Sequence, residues 1–164
     1  MEGFLDSIRK QFESYKSLGD KTFEQLDEKD FSYRPNENSN SIAMIVRHVS
    51  GNLKSRFTDF LTSDGEKPWR NRDEEFEDYT ASKSQVIYIW TDGWNALFNT
   101  LDQLKTDDLE KEITIRQQPA KVYDALLRSL AHTASHVGQI MYIGKSIRDA
   151  GWKSLSIPKS KSHS

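Results

Sequence analysis

Residues 62–80, TSDGEKPWRNRDEEFEDYT, form the stretch that decides the fold. The stretch carries many charges and little apolar periodicity, and Gly65 and Pro68 interrupt regular structure, which indicates a loop. A loop of this length could extend about 60 Å, whereas a helix over residues 41–61 would be about 31 Å long. The loop could therefore run back along the whole preceding helix and leave the two flanking helices parallel. The alternative is a long connection with local structure between antiparallel helices.

Four segments on either side of this loop carry apolar residues at every third or fourth position, which predicts four amphipathic helices. The apolar stripes cover residues 4–26, 42–61, 86–104 and 122–147. Asn40 or Ser41 is the expected cap at the start of the second helix, and Gly151 is the expected terminator of the fourth. We therefore predict an all-α fold, a four-helix bundle in up-down-down-up order with a long crossover between helices 2 and 3.

Two further segments complete the predicted organisation. Residues 110–122, EKEITIRQQPAKV, contain an Ile-Thr-Ile alternation, which is typical of either a short strand or an extended linker. Residues 1–152 are expected to form a single bundle domain. The Ser/Lys-rich residues 153–164, which include His163, are expected to form a flexible tail without a role in a site.

Composition narrows the classes of function. The chain has 23 basic and 25 acidic residues, so its net charge is 23 − 25 = −2, and it has no cysteine. This balance argues against nucleic acid or an anionic membrane as a partner, and the lack of cysteine excludes disulfides and thiolate ligands from the protein itself. No apolar run approaches the length needed to span a bilayer. The N-terminal residues lack the apolar core of a secretory signal, so a cytoplasmic location is expected.

Histidines form the candidate functional cluster. His132 and His136 lie four residues apart in HTASHVGQI, so their rings share one face of the fourth helix. A third histidine, His48, lies in the second helix, and all three fall at the borders of the apolar stripes. Imidazoles in this arrangement could bind one divalent ion. The alternative is that they are ordinary histidines at the edge of the core of a helical interaction domain.

Two sharper interpretations of the pair fail on the residues around it. A zinc-protease helix needs Glu directly after the first histidine, where this chain has Thr133. A di-iron bundle needs an acidic residue three positions before a histidine, where this chain has Ser129 and Thr133. A metal site here would therefore consist of three neutral imidazoles, which leave the ion its full charge for lowering the pKa of bound water or a bound thiol.

The segments NSNSIAMIVRH and AHTASHVGQI resemble those of the DinB-like family, named for DNA-damage-inducible proteins, which are metal-binding four-helix bundles. The connection LDEKDFSYRPNENSNS also fits, and GNLKSRFTDFLTSDGEKPWRNRDEEF resembles an uncharacterised bacterial branch of that superfamily. The resemblance covers residues 1–152. It implies the up-down-down-up order with a left-handed connection, and a divalent ion, zinc or nickel, bound by His48, His132 and His136.

The same resemblance implies two kinds of activity, since some relatives are thiol-dependent transferases or isomerases and others are described as hydrolases. We therefore expect a metal-dependent enzyme that activates either a low-molecular-weight thiol, as an S-transferase does, or water. The sequence supplies no general base and no catalytic residue that can be named, which mildly favours thiol chemistry. The alternative is a non-catalytic metal-binding stress or interaction module. Asn52 and Gln139 could contact the ligands or a substrate. The alternative for both amides is hydrogen bonding to solvent or between helices, and it is favoured for Asn52.

Two expectations concern partners. The loop could cover a pocket for a small-molecule substrate, with Arg70 and Arg72 holding an anionic group. The favoured alternative for the loop is a solvated crossover whose charges pair with each other. Four tryptophans and a broad apolar face on the third helix are consistent with a homodimer, and core packing explains them equally well.

Overall fold

The chain folds mainly into helices, as its apolar periodicity predicts. The computed structural model describes residues 3–157. Within that range the long helices are α1 (Phe4–Glu24), α2 (Ile42–Phe57), α3 (Lys83–Gln103) and α4 (Val122–Arg148). Short 3-10 turns occupy Glu28–Ser32, Asp73–Phe76, Thr106–Asp108 and Asp149–Gly151. None of the helices in the described range is long and apolar enough to cross a membrane.

Serine side chains start the two central helices. Ser41 Oγ accepts a hydrogen bond from the backbone N–H of Met44 at 3.2 Å, so Ser41, and not Asn40, is the cap of α2. Ser82 caps α3 in the same way by accepting from the backbone N–H of Gln85 at 3.2 Å. In each case the hydroxyl satisfies an amide that has no partner within its own helix.

The prediction that the second helix continues to residue 61 is wrong. The helix ends at Phe57 because Thr58 is extended, with φ −68° and ψ 125°, and Asp59 has a φ of 49°. This turn packs the ring of Phe60 onto that of Phe57, with 5.1 Å between the ring centroids. The hydroxyl of Thr100 on α3 donates to the Phe57 carbonyl at 2.8 Å, which satisfies one of the carbonyls at the helix end.

The ends of the first and fourth helices also differ from expectation. The helix α1 stops at Glu24, so Leu26 lies beyond it although its side chain is buried. Gly151 does not terminate α4, because the helix already ends at Arg148 and Asp149 adopts a φ of 46°. Asp149 thus has the positive φ that favours glycine, with a ψ of −119° that differs from the usual left-handed cap.

The helices α2 and α3 pack closely and in the same direction. A Cβ atom added to Gly93 would lie 2.6 Å from the Cα atom of Ser50, so only glycine permits this approach of the two backbones. About two turns further along each helix, Thr100 contacts Phe57. Contact positions thus advance together along both helices, which run parallel here as the long crossover predicts. The complete up-down-down-up order stays a prediction.

Aromatic side chains fill the core between α1 and α3. Trp90 and Trp94 are 1% and 0% exposed, and their ring centroids lie 5.2 Å apart. Phe12 of α1 meets Trp94 edge to face at 6.2 Å, and Asp20 accepts a hydrogen bond from Trp90 Nε1 at 2.8 Å. Core packing therefore accounts for these two tryptophans, and the possible homodimer stays untested.

The Ile-Thr-Ile alternation forms a strand and not an extended linker. Strand β1 (Glu112–Ile115) pairs antiparallel with β2 (Gln118–Lys121). The connecting residues Arg116 and Gln117 have φ angles of 53° and 61°, as in the tight turns that favour Asn and Gly. Asp64 of the crossover accepts hydrogen bonds from the backbone N–H groups of both, at 2.9 and 2.7 Å. The crossover thereby fixes the hairpin in front of α4.

The beginning of the expected tail contacts the domain. The backbone N–H of Lys153 donates to Gln25 Oε1 at 2.8 Å, and Gln25 Nε2 donates to the Lys153 carbonyl at 3.2 Å. Residues 158–164, with His163, lie outside the described residues. The division at residue 152 stays a prediction.

Candidate metal centre

The three histidines meet at one point between α2 and α4. His132 Nε2 lies 3.2 Å from His48 Nε2 and 3.2 Å from His136 Nε2. One ring nitrogen from each histidine lies within 4.8 Å of the others. His48 is buried, whereas His132 and His136 are half-buried. The four-residue spacing brings the two α4 rings together, and the packing of α2 against α4 adds the third.

The two separations that His132 Nε2 makes with the other ring nitrogens fit a shared divalent ion. Two nitrogens that each lie about 2.1 Å from an ion are about 3.0 Å apart in octahedral geometry and about 3.4 Å apart in tetrahedral geometry. The observed 3.2 Å falls between these values. Such an ion is satisfied by three lone pairs, whereas hydrogen bonding among three ring nitrogens at these distances needs a proton for each contact.

A carboxylate from the crossover orients His48. Glu75 Oε2 lies 2.8 Å from His48 Nδ1, and since a carboxylate only accepts, Nδ1 carries the proton and donates it. In the neutral imidazole this leaves the lone pair on Nε2, which faces the other histidines. Arg70 donates to both oxygens of Glu75, from Nε at 2.8 Å and from Nη2 at 2.9 Å. The arrangement is the carboxylate–histidine pairing common around protein-bound metals.

Electrostatics keep Glu75 ionised although it is buried. Burial raises the pKa of Glu75, but the hydrogen bonds from Arg70 and His48 outweigh burial and hold the pKa below its usual value. Sequence reasoning missed Glu75 because it searched only the helix margins for acidic residues. The acidic run in the crossover, Asp73 to Glu75, was the available signal.

The local backbone makes room for this carboxylate. A Cβ atom on Gly51 of α2 would lie 2.2 Å from Glu75 Oε1, so a side chain at this position would displace the carboxylate. Next to Glu75, the ring of Phe76 lies over the His48 ring with 4.7 Å between the centroids. The 3-10 turn of the crossover therefore covers the His48 ring with Phe76 and binds its Nδ1 through Glu75.

The two histidines of α4 differ in their surroundings. Gln139 Oε1 accepts a hydrogen bond from His136 Nδ1 at 3.0 Å, so Gln139 orients His136 as Glu75 orients His48. His132 Nδ1 is buried and has no hydrogen-bond partner within residues 3–157. Burial, followed by His136 and His48, lowers the pKa of His132 to about 4, and burial also lowers the pKa of His136. Neutral rings with free lone pairs are the forms that bind metals.

A cavity of about 470 Å³ opens beside His48 and His132. Asn52, one turn after His48, lines this cavity. Of the residues that the sequence pointed to, Gln139 contacts a histidine, Asn52 faces the cavity, and Arg70 pairs within the crossover.

Comparison with known proteins adds a family and no activity. Residues 1–161 match the model of a family described as "Protein of unknown function (DUF1572)". No curated protein matches the chain. The match agrees with the resemblance to an uncharacterised branch, and its link to the wider DinB-like superfamily stays an expectation from sequence.

Proposed function

The chain belongs to the DUF1572 family, whose function is unknown, and on that premise we propose that it is a divalent-metal-dependent enzyme. His48, His132 and His136 would hold the ion, zinc or nickel. One observation carries the proposal: three imidazole nitrogens converge at 3.2 Å contacts while acceptors fix the far nitrogens of two of the rings. Held by three neutral ligands, the ion would supply undiminished positive charge that lowers the pKa of a bound thiol or water.

The surroundings favour a low-molecular-weight thiol as the activated group. Hydrolysis usually needs a general base to take a proton from water, and no Asp or Glu lines the cavity within the described residues. Glu75 is a poor base because both its oxygens already accept hydrogen bonds and its pKa is lowered. A thiol needs no base once it is ionised. Its sulfur would form a bond to an electrophilic carbon, the leaving group would depart with its electron pair, and the thiol proton would pass to solvent.

The cavity argues for catalysis over a purely structural or sensing metal. Ligand sites are typically about 300–1,000 Å³, and the cavity of about 470 Å³ beside His48 and His132 is in this range. A non-catalytic metal-binding module is the remaining alternative, and it needs no such space. The cavity could admit a small-molecule substrate directly to the centre.

The finer fold is part of the same proposal. The left-handed connection is what the resemblance implies, and the order up-down-down-up is supported by the parallel contacts of α2 with α3. Contacts between α1 and α3 support it too, because Asp20 meets Trp90 whereas Arg9 meets the carbonyl of Phe98, so these positions advance in opposite directions. The cytoplasmic location remains an expectation from the sequence.

Parallel assays on protein made without an affinity tag test the proposed activity. The zinc- and nickel-loaded forms would be incubated with cysteine, glutathione or coenzyme A and the electrophile 1-chloro-2,4-dinitrobenzene, and separately with 4-nitrophenyl acetate without thiol. We expect metal-dependent thiol conjugation that His132→Ala abolishes. Metal-dependent ester hydrolysis without conjugation would make the protein a hydrolase, and bound metal with neither activity would favour the non-catalytic module.

A further inference from the structure

The cavity beside the histidines is strongly basic. Within the described part of the chain, no carboxylate lines it. Five arginines do: Arg56, Arg70, Arg72, Arg116 and Arg128. This concentration of positive charge is local, since the whole chain has a net charge of −2. Neither the three histidines nor the overall composition of the chain accounts for five arginines around one cavity.

Nearby carboxylates neutralise only part of this charge. Arg70 is paired with Glu75, and Arg116 Nε lies 2.8 Å from Glu66. Arg72 has only a 3.8 Å contact with Asp73, and both side chains are exposed. In the cavity wall, the charges of Arg70 and Arg116 are therefore neutralised by carboxylates, whereas the charge of Arg72 is not.

The other two arginines have no such partner. Neither Arg56 nor Arg128 forms an ion pair with a carboxylate among residues 3–157, and Arg56 Nη1 is buried without a hydrogen-bond partner in that range. Burial, and then the charge of Arg128, lowers the pKa of Arg56, and the nearby charge of Glu66 opposes this only in part. Arg56 is thus a half-buried charge beside a second arginine, and its pKa stays lowered despite Glu66, so the fold keeps an arrangement that an anion would stabilise.

These two arginines lie on the same helices as the metal ligands and line the same cavity. Arg56 lies eight positions after His48 on α2, and Arg128 lies four positions before His132 on α4. At about 100° per residue, a spacing of four returns to within about 40° of the starting direction and a spacing of eight to within about 80°. Each arginine therefore lies toward the side of its helix that carries the histidine. An anion between the two guanidinium groups would thus lie in the cavity that reaches His48 and His132.

We propose that this cavity is an anion-binding subsite, and that the ligand of the centre is a small molecule with a doubly charged group, either a phosphate or a pair of carboxylates. Guanidinium groups bind both kinds of oxyanion through paired N–H donors. The role of the anion as a substrate group rests on the proposed enzymatic function. The binding of the anion does not, because the arginines and not the ion hold it.

Calorimetric titration of the full-length protein tests the subsite. Inorganic phosphate and succinate would be titrated at constant ionic strength into the protein as purified and after treatment with a chelator. Uncharged succinamide is the control for shape. We expect saturable binding of at least one anion in both forms and none of succinamide, and the tighter of the two identifies the phosphate or the dicarboxylate source.

A matched pair of variants on α4 sharpens the test. Arg128 and Arg148 both lie on α4, but Arg148 contacts Asp27 and does not line this cavity. Loss of a charge-assisted hydrogen bond predicts that Arg128→Gln weakens anion binding about tenfold or more, whereas Arg148→Gln leaves it unchanged. Since Arg128 is exposed, its variant should fold, and thermal unfolding checks this.

Three results would overturn the subsite: no saturable binding of either anion, equal binding of succinamide, or equal affinities of the two variants. Failure of the metal proposal has a different signature, because anion binding that depends on Arg128 would persist in a chain that binds no divalent ion. Metal binding without Arg128-dependent anion binding would leave the proposed function standing and remove this subsite.

Discussion

Glu75 Oε2 lies 2.8 Å from His48 Nδ1, so the crossover between α2 and α3 orients a histidine of the candidate centre. The loop is thus part of the site as well as a connection. Its carboxylate is positioned by Arg70 within the loop and by the absence of a side chain at Gly51 on α2. A crossover that only linked two helices would need none of these contacts.

The first prediction concerns this carboxylate. Glu75→Gln should weaken the binding of zinc by about 10- to 100-fold, the usual effect of removing a group that orients a metal-bound histidine. The amide cannot accept from Arg70 and His48 at once without turning its own N–H groups toward one of these donors. Affinity would be measured by competition with a chromogenic chelator.

Glu74→Gln is the matched control for that measurement. Glu74 is the neighbouring residue and is exposed, so its variant removes the same charge from the same turn without touching His48. Equal zinc affinities for the two variants would show that Glu75 contributes only overall charge, and the orienting role would have to be abandoned.

The second prediction concerns Gly51. Gly51→Ala should lower the zinc affinity about tenfold, because the new Cβ atom would lie 2.2 Å from Glu75 Oε1 and push the carboxylate away from His48. Gly138→Ala is the control, since nothing lies within 4 Å of its Cβ position on α4. That variant should keep the zinc affinity and stabilise the protein by about 0.5–1 kcal/mol, as expected for an exposed helical position.

A double variant separates displacement of the carboxylate from a general effect of the alanine. In a Glu75→Ala background the space beside residue 51 is free, so Gly51→Ala should cause no further loss of zinc affinity. An additive loss in the double variant would mean that Gly51 acts by another route.

The third prediction concerns pH in the metal-free protein. The pKa of His132 is lowered to about 4 in the folded state, whereas the pKa of a histidine in the unfolded chain is about 6.5. Between these values the unfolded chain binds a proton that the folded chain does not. The free energy of unfolding should therefore be level above about pH 6.5 and fall as the pH is lowered toward about 4.

Urea unfolding of chelator-treated protein across this pH range measures the dependence. His132→Asn should make the fall smaller, although His136, whose pKa is also lowered, should leave part of it. An identical pH dependence in the wild type and the variant would show that His132 is not held neutral by the fold.

Much of the helical framework could be predicted from the sequence because apolar spacing along a helix is a local signal. The apolar stripes of α3 and α4 are such local signals, and so is the serine at position 41 that caps α2. The early end of α2 was missed because it depends on a tertiary contact, the Thr100 hydroxyl on the Phe57 carbonyl. Apolar periodicity continues through Phe60 even though the helix does not.

The three histidines of the candidate centre could be predicted from the sequence, but the carboxylate that orients His48 could not. His132 and His136 share a helical face by spacing alone, and His48 was the available third histidine. Glu75 lies 27 positions from His48 and reaches it only through the folded crossover. The Arg116 and Gln117 turn was similarly hidden, because Asp64 from the crossover holds its backbone in place of the usual Asn-Gly sequence.

The most direct test of the account is the metal content of the full-length protein, made without an affinity tag and analysed by mass spectrometry after equilibration with zinc or nickel. We expect about one divalent ion per chain in the wild type and in His163→Ala, and none in His132→Ala or His136→Ala, with all variants folded by circular dichroism. A wild-type protein that neither retains nor rebinds a divalent ion, or an ion that persists in both His132→Ala and His136→Ala, would contradict the three-histidine centre.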